Sequence, residues 1–326
     1  MRTISVFAPA RLHLGFLDLN GSRGRRFGSV GLTLEGPCVE LSVRRASSFG
    51  ISGSQSARAE QFTSAMRNRY NLPDDFQLHI SGTIPEHVGL GSGTQLGIAV
   101  GAAIARLFRL DIPVHEIATV VQRGQRSGIG AGAFESGGFM VDGGKGDSDG
   151  PPPVVSRIEF PSEWRVVLII ERTNRGLHGE RETAAFRALP AFPEALAGEL
   201  CRLLLMQALP ALAERDIQNF GSAIGELQRV TGDYFAPAQG GRFASPAVAE
   251  ALAWFESRGI AGVGQSSWGP TGFAIVDAKS RASELVRDAR ARWGEAGPLQ
   301  FMVCGGRNRG ADIQDIQSVA ASSKAN

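Results

Sequence analysis

A glycine-rich segment, PEHVGLGSGTQ (residues 85–95), holds the residues of this sequence that are best suited to bind a phosphorylated ligand. It lies directly before the apolar run LGIAVGAAIARLF, which predicts a buried helix. Gly89, Gly91 and Gly93 allow positive φ and a close approach of the backbone to a ligand, because glycine has no Cβ. The free N–H groups and positive dipole end of the following helix attract anions. The segment predicts a phosphate site, with a tight strand-to-helix connection that binds nothing as the alternative.

Two hydroxyl residues of the same segment, Ser92 and Thr94, are suited to cap the helix and to hydrogen-bond the same ligand. No lysine follows the glycines, so the pattern is not a Walker A loop, and the spacing is not that of G-x-G-x-x-G. The segment therefore matches neither of these two common nucleotide-binding motifs.

Basic residues that would neutralise a phosphate occur near the start of the chain. Alternation along the predicted strand RLHLGFL places Arg11 and His13 on one face and the leucines on the other. The loop that follows carries a basic cluster: Arg23, Arg25 and Arg26. Such a cluster is either a solvated loop or a cover that closes over an anionic substrate.

Two further segments carry candidate site residues. The segment QRSGIGAGAFESGG offers Arg126 as a catalytic residue and Ser127 as a substrate contact. The loop after the predicted strand 164–171 offers Arg175 and His178 as catalytic residues and Arg181 as a substrate contact. His178 is the best general acid or base by its intrinsic pKa. A surface loop whose ion pairs contribute little is an equal alternative for the second segment.

A third small-residue segment, GVGQSSWGPT, contains Ser266, Ser267 and Trp268. Its hydroxyls are candidates for substrate binding. The indole is suited to stack on a ring, although a tryptophan is more often a core anchor.

Strands alternate with helices along the chain, and three long helices are grouped in its second half. This order predicts an α+β fold with two layers in each of two domains. We expect an N-terminal domain at 1–155 that contains the phosphate loop, a C-terminal domain at 156–310 and a flexible tail at 311–326. The portion AFESGGFMVD predicts a strand pair or hairpin, and the run 143–153 predicts a flexible loop.

The composition is that of a soluble globular protein, with 43% hydrophobic and 20% charged residues. A net charge of +2 without a long basic block gives no reason to expect nucleic acid. Since no signal peptide and no apolar run of bilayer length is evident, we expect no membrane contact and a cytoplasmic location. The three dispersed cysteines predict buried free thiols, and base rates favour a homodimer.

In this order, ARLHLGFLDLNG, PEHVGLGSGTQ and GVGQSSWGPT resemble the three motifs of the GHMP kinase superfamily. The resemblance covers nearly the whole chain. It implies an N-terminal domain like domain 2 of ribosomal protein S5 and a ferredoxin-like C-terminal domain. In the mevalonate-type kinases the segment matching QRSGIGAGAFESGG reads S-G-x-D, with the Asp as catalytic base, whereas Gly130 stands there in this chain. The missing Asp weakens the alternative of an ATP-dependent small-molecule kinase. That alternative would need Glu135 or Asp142 to act as a displaced base.

Five finer segments resemble a non-kinase branch of that superfamily, the β-ribofuranosylaminobenzene 5'-phosphate synthases. They are RLHLGFLDLNG, GLGSGTQ, RSGIGAGAFESGGFMVDGG, GLHGERE and GVGQSSWGPT. The resemblance implies that phosphoribosyl pyrophosphate and 4-aminobenzoate, or 4-hydroxybenzoate, give a C-riboside 5'-phosphate, carbon dioxide and pyrophosphate. It also implies Mg²⁺ as the partner of the pyrophosphate and an early step of tetrahydromethanopterin biosynthesis. A non-catalytic module that binds a phosphosugar or nucleotide is a third alternative.

For this reaction, donors and cations aimed at the diphosphate are expected, because negative charge develops on the leaving group. We expect Gly89 to Thr94 to hold the diphosphate and Arg11, His13 and the Arg23 to Arg26 loop to supply charge. The benzoate carboxylate needs a guanidinium in fork geometry. The candidates for that role are Arg126, Arg175 and Arg181. The remaining candidates are His178 as acid or base, and Ser127, Ser266, Ser267 and Trp268 as further substrate contacts.

Overall fold

The computed structural model describes residues 2–173 and 188–317. Three predicted site residues, Arg175, His178 and Arg181, lie outside the described residues. The expectations for those three side chains stay predictions.

Within the described residues, a first sheet contains seven strands. They are β1 (Arg2–Asp18), β2 (Phe27–Arg45), β3 (Gly50–Gly53), β4 (Phe76–Gly82), β5 (Phe139–Asp142), β6 (Val154–Ile158) and β11 (Asp312–Gln317). The main order is β11-β1-β2-β4-β3, and β5 joins β2 to β6. All pairs are antiparallel except β3 with β4. The predicted strand RLHLGFL is part of the much longer β1, which pairs with the similarly long β2 and has register shifts near its middle.

Four helices accompany this sheet: α1 (Ser56–Tyr70), α2 (Ser92–Leu107), α3 (Val114–Val120) and α4 (Ile129–Glu135). The predicted buried helix is α2, and 13 of its 16 residues are buried. It contacts β1, β2, α1, α3 and α4, so it is the centre of this domain. The portion predicted as a hairpin is different: its first residues belong to α4, and only the stretch at 139–142 is a strand. Gly137 and Gly138, both at positive φ, separate the two.

The second sheet contains β7 (Arg165–Glu171), β8 (Val263–Gln265), β9 (Gly272–Val276) and β10 (Leu299–Cys304), in the antiparallel order β10-β7-β9-β8. The five central residues of β7 are all buried. Since successive side chains of a strand point to opposite faces, both faces of this strand are covered. Val167 and Ile169 join the core beneath α8 (Pro246–Ser257) and α9 (Lys279–Trp293). Val166 and Leu168 join the large core that continues into the first domain. The α+β, two-domain fold predicted from the sequence is confirmed.

A helical stretch leads from Glu194 into this large core. It consists of α5 (Glu194–Leu203), one π-helical turn (Leu204–Ala208) and α6 (Leu209–Ala213), and it is followed by α7 (Ile217–Gln239). Pro210 lies in the first turn of α6, where its missing N–H is tolerated. Contrary to the sequence expectation, the described residues include one helical stretch, Glu194–Ala213, that is long and apolar enough to cross a membrane. This stretch packs on β1 and α7.

The sheets divide the chain differently from the predicted domain bounds. Strand β6 spans the predicted boundary at 155/156 and pairs with β5, so the first sheet continues to Ile158. Residues 312–317, expected to lie in a flexible tail, instead form β11 and pair with β1 along its first six residues. The three cysteines are free, as predicted, but only Cys304 is buried, whereas Cys38 is half-buried and Cys201 is exposed.

Candidate functional site

The glycine loop between β4 and α2 has the predicted positive φ at Gly89 and Gly91 but not at Gly93. Gly89 and Gly91 have φ of 88° and 83°, in the left-handed region that favours glycine. A Cβ on Gly89 would lie 2.2 Å from the carbonyl oxygen of Ser266. Helix α2 begins at Ser92 with Gly91 as its N-cap and without a side-chain cap, so the capping role predicted for Ser92 and Thr94 is wrong. The first turn of a helix leaves its N–H groups free for a ligand.

This loop forms one wall of a cavity of about 190 Å³. The cavity is lined by Arg11, Arg58, His87, Gly89, Gly91, Ser92, Gly93, Thr94, Arg123, Ser267, Trp268 and Gly269. The structure thus brings together eight of the residues predicted from the sequence, namely Arg11, Gly89, Gly91, Ser92, Gly93, Thr94, Ser267 and Trp268. The lining comes from both domains.

Three guanidinium groups surround the start of α2. Arg11 lies on β1, and its Nη1 donates a hydrogen bond of 2.6 Å to the carbonyl of Gly89. Arg58 lies in the first turn of α1, and its Nη2 would be 2.1 Å from a Cβ on Gly93. Arg123 follows α3 and stacks on the ring of Phe62 at 5.0 Å. Gly93 therefore leaves room for the end of the Arg58 side chain, and its own φ does not call for glycine.

Arg58 and Arg123 have no carboxylate partner among the described residues. Burial and the neighbouring charge of Arg58 lower the pKa of Arg123, and the Nε of Arg123 is buried without a hydrogen-bond partner in the described part of the chain. Cations held together without a counter-charge raise the free energy of the empty site. A bound polyanion would remove this cost, so the cavity has the charge of a phosphate or diphosphate site.

The third small-residue segment joins the two domains at the glycine loop. The Oγ of Ser266 donates to the carbonyl of Gly89 at 2.7 Å and accepts from the amide of His13 at 3.0 Å. The amide of Ser267 donates to the carbonyl of His13 at 3.0 Å. Ser266 is fully buried and positions the loop instead of lining the cavity.

His13 does not supply positive charge, contrary to the sequence expectation. Its side chain is 3% exposed, and burial together with the charge of Arg11 lowers its pKa to about 3. The imidazole is therefore neutral near neutral pH. Trp268 lines the cavity and also packs on Phe235 with ring centroids 4.6 Å apart, whereas its stacking on a ligand ring stays a prediction.

Arg25 and Arg26 are also placed away from the cavity. Arg25 donates through Nε to the carbonyl of Gly143 at 2.7 Å and through Nη2 to that of Gly144 at 2.6 Å. Arg26 donates to the carbonyl of Leu19 at 3.0 Å. The two contacts of Arg25 hold the start of the 143–153 loop against the basic loop. Neither arginine lines the cavity, so the predicted contribution of both to the phosphate site is not seen.

The segment that carries Arg126 and Ser127 surrounds a buried carboxylate. Asp142, 1% exposed, accepts hydrogen bonds from the amides of Ser29, Gly128 and Gly144 and from the hydroxyl of Ser127. Burial raises the pKa of Asp142 and these donors oppose the rise. Neither Arg126 nor Ser127 lines the cavity. Their predicted contacts with the acceptor stay predictions.

No candidate for a displaced kinase base lines the cavity among the described residues. Asp142 is enclosed by its four donors, and Glu135 is exposed at the end of α4. Gly130, at the position of the kinase Asp, lies against Thr94, whose methyl carbon would be 2.6 Å from a Cβ on Gly130. The side-chain amide of Gln95 donates to the carbonyl of Gly130 at 2.8 Å. This corner of the site is filled by Thr94, where a kinase of this superfamily would hold a carboxylate.

Mg²⁺, which the family resemblance implies, finds no ligand set in the described residues. Magnesium prefers carboxylate and other oxygen ligands. The lining offers three guanidinium groups and no Asp or Glu within the described ranges, and no cluster of three potential ligands occurs there. The protein side of this cavity fits a bare polyanion rather than a protein-bound cation.

The fold and the loops at this cavity define a GHMP-type protein. The models of the GHMP kinases N-terminal and C-terminal domains match residues 57–138 and 208–295. Among solved structures, homoserine kinase from Cytophaga hutchinsonii aligns with a TM-score of 0.69 at 18% identity, covering 96% of this chain and 97% of that one. Mevalonate diphosphate decarboxylase from Staphylococcus aureus aligns with a TM-score of 0.67 at 15% identity, covering 96% and 98%. At these identities the likeness shows the fold alone.

Two curated sequences are more similar. β-Ribofuranosylphenol 5'-phosphate synthase of Methanothermobacter thermautotrophicus is 33% identical over 94% of this chain and 97% of its own length. The protein of the same name from Archaeoglobus fulgidus is 34% identical over 94% and 98%. The chain belongs to this family of enzymes, the β-ribofuranosylphenol 5'-phosphate synthases within the GHMP superfamily.

Sequence reasoning missed Arg58 and Arg123 as site residues. Neither belongs to a recognisable motif, since one lies on α1 and the other in the turn after α3. The single local signal was Gly93 in the first turn of a helix, where alanine would stabilise the helix better. A glycine there indicates that a neighbouring group approaches closely.

Proposed function

We propose that this enzyme transfers the phosphoribosyl group of phosphoribosyl pyrophosphate to a ring carbon of 4-hydroxybenzoate, with loss of carbon dioxide and pyrophosphate. The observation that carries the proposal is the cavity at the start of α2, where Arg11, Arg58 and Arg123 converge without a carboxylate in the described lining. This arrangement suits a leaving diphosphate. It lacks the base that phosphoryl transfer to a hydroxyl requires.

The bonds change in two stages. The bond between C1 of the ribose and the diphosphate oxygen breaks, and the oxygen keeps the electron pair. The ring carbon that carries the carboxylate forms a bond to C1. The bond from that carbon to the carboxylate then breaks and carbon dioxide leaves. The electron pair of the broken bond stays with the ring and restores its aromaticity.

The cationic cavity favours the first stage. Negative charge accumulates on the diphosphate as it leaves, and guanidinium groups and helix N–H groups already aimed at it stabilise that charge without rearranging. Arg11 is fixed by its hydrogen bond to Gly89, so its charge is preorganised. We assign to the three arginines the neutralisation that a protein-bound metal would otherwise supply.

The relatives favour hydroxybenzoate over aminobenzoate as the acceptor. Their name specifies a ribofuranosylphenol, and a phenol product follows from a hydroxylated ring. We place the reaction early in tetrahydromethanopterin biosynthesis, as the family resemblance implies.

The test is turnover with purified full-length protein. Phosphoribosyl pyrophosphate is supplied with 4-hydroxybenzoate, with 4-aminobenzoate, or with neither, and pyrophosphate and the riboside are quantified. A parallel sample receives ATP and small alcohols. Pyrophosphate and riboside with a benzoate, and no ADP in the parallel sample, support the proposal. ADP formation without riboside would establish the kinase alternative.

A further inference from the structure

A second, narrower space adjoins the phosphate cavity and shares Ser267 and Trp268 with it. It lies between β1, α7 and the segment that follows β8. Three aromatic rings line it, those of Phe16, Phe235 and Trp268, together with amide and hydroxyl side chains of α7. We call this space the aromatic slot. Flat aromatic walls with a few polar groups are the usual lining of a site for a small planar ligand.

His13 is the most unusual residue of the aromatic slot. Its ring is 3% exposed and packs edge-on against Phe16 at 4.6 Å. Both ring nitrogens are buried and have no hydrogen-bond partner in the described part of the chain. Leaving a buried polar atom without a hydrogen-bond partner destabilises the folded protein. Such a cost is expected where a ligand completes the missing bond.

We propose that the aromatic slot binds the ring of the benzoate acceptor and that the imidazole of His13 accepts a hydrogen bond from its para-hydroxyl group. This assignment rests on the proposed function for the identity of the acceptor. The ring of 4-hydroxybenzoate would lie among Phe16, Phe235 and Trp268. The shared wall at Ser267 and Trp268 would then direct the opposite end of the ring toward the phosphoribosyl group.

The orientation follows from charge. His13 is uncharged near neutral pH, because burial and Arg11 lower its pKa to about 3. A buried neutral ring compensates a hydroxyl well and a carboxylate poorly, since a buried charge needs an opposite charge. The para-hydroxyl is therefore the group that fits against His13, and the carboxylate is directed toward the side that carries the arginines.

This contact would also assist the reaction. A hydroxyl that donates a hydrogen bond to His13 becomes more electron-rich at oxygen. The electron density reaches the ring carbon para to it, which is the carbon that attacks the ribose. His13 would therefore act as a catalytic residue through the acceptor and not through the diphosphate.

The slot is narrow, at about 30 Å³. An empty protein cavity that holds benzene measures ~150 Å³, so the wall must move to admit the ring. Arg242, half exposed and paired with Asp233 at 2.7 Å, lines the outer side. It lies just after Gly240, which has φ of 84° and ends α7. We expect this segment to shift when the acceptor binds.

The experiment measures binding to the full chain by calorimetry, with 4-hydroxybenzoate, benzoate and 4-methoxybenzoate as probes. The variants are His13→Phe, which cannot accept a hydrogen bond, His13→Gln, which can, and His115→Phe as an exposed control. Inorganic pyrophosphate checks that each variant keeps the phosphate cavity. We expect wild type to bind 4-hydroxybenzoate at least ten-fold more tightly than the other two aromatic acids, and His13→Phe to lose that preference. His13→Gln should keep most of it.

Equal affinity of wild type for the three aromatic acids would overturn the proposal, and this result needs no variant to fold. An unchanged preference in a His13→Phe protein that still binds pyrophosphate would overturn it as well. Binding is measured without turnover, so the outcome is separate from the proposed function. If the preference is present and no riboside forms, the slot assignment stands and the reaction assignment fails.

Discussion

The hydroxyl of Ser266 donates a hydrogen bond of 2.7 Å to the carbonyl oxygen of Gly89 and thereby ties the second domain to the glycine loop of the first. The same carbonyl accepts a hydrogen bond of 2.6 Å from the guanidinium of Arg11. One backbone oxygen thus sets the position of the loop, of a cation in the phosphate cavity and of the segment that separates this cavity from the aromatic slot. If the diphosphate and the acceptor bind as we propose, their positions are coupled at this point.

Replacing Ser266 by alanine should loosen this joint. The buried carbonyl of Gly89 and amide of His13 each lose a partner, which costs about 1–3 kcal/mol of stability. We expect a lower urea midpoint and a pyrophosphate affinity reduced about ten-fold. Ser257→Ala, which removes an exposed hydroxyl from a carbonyl at the end of α8, is the matched control. Pyrophosphate affinity equal to that of wild type would show that the joint does not position the cavity.

Gly93→Ala separates stability from binding. Gly93 lies in the first turn of α2, where alanine is favoured by up to ~1 kcal/mol. The new methyl group would displace the flexible end of Arg58, whose Nη2 is 2.1 Å from the Cβ position. We expect equal or higher thermal stability and weaker pyrophosphate binding. If binding does not change, Arg58 does not contact the diphosphate.

Arg58→Gln and Arg123→Gln should each weaken pyrophosphate binding by about ten-fold or more, since each removes a charge-assisted hydrogen bond. Calorimetry in the presence of a chelator measures this without a divalent cation. Arg202→Gln is the control, because Arg202 is 76% exposed and faces Glu199. Pyrophosphate binding that requires added Mg²⁺ and ignores both variants would contradict the assignment of charge neutralisation to the arginines.

His13 gives the fold a defined dependence on pH. The pKa of its imidazole is about 6.5 in the unfolded chain and about 3 in the folded protein, so between these values the unfolded chain binds one more proton. Stability therefore falls as pH decreases through this window, by about 1.4 kcal/mol per pH unit at most. At about pH 5 the loss is of order 2 kcal/mol, and His13→Gln should lack it. Urea titrations of wild type and His13→Gln at several pH values measure this difference in the free energy of unfolding. If both proteins lose the same stability in acid, His13 is not its origin.

Much of the fold could be predicted, because its signals are local. The apolar run after Gly93 predicts α2, and alternation predicts β1 correctly as a strand. The strand at 312–317 was missed since its pairing with β1 joins residues about 300 positions apart in sequence. Pairing over such distances leaves no local pattern.

The site residues could be predicted where the backbone conformation requires a particular residue type, such as glycine. They could not be predicted where a side chain reaches the cavity only because distant elements pack together. Gly89 and Gly91 indicated positive φ, and the structure shows it. Alternation placed Arg11 and His13 on one strand face correctly, but whether each is charged depends on burial between domains. Arg25 was expected to bind a phosphate because it lies in a basic loop. Its guanidinium instead donates to a backbone carbonyl of the 143–153 loop.

The most direct test of the central claim uses 4-hydroxybenzoate labelled at its carboxyl carbon, together with phosphoribosyl pyrophosphate and the purified enzyme. Labelled carbon dioxide, pyrophosphate and the ribosyl phenol phosphate are counted in the same sample. We predict that the three products form in equal amounts and that Arg58→Gln lowers all three together. Pyrophosphate released without labelled carbon dioxide, or a riboside that retains the label, would contradict decarboxylating transfer at this cavity.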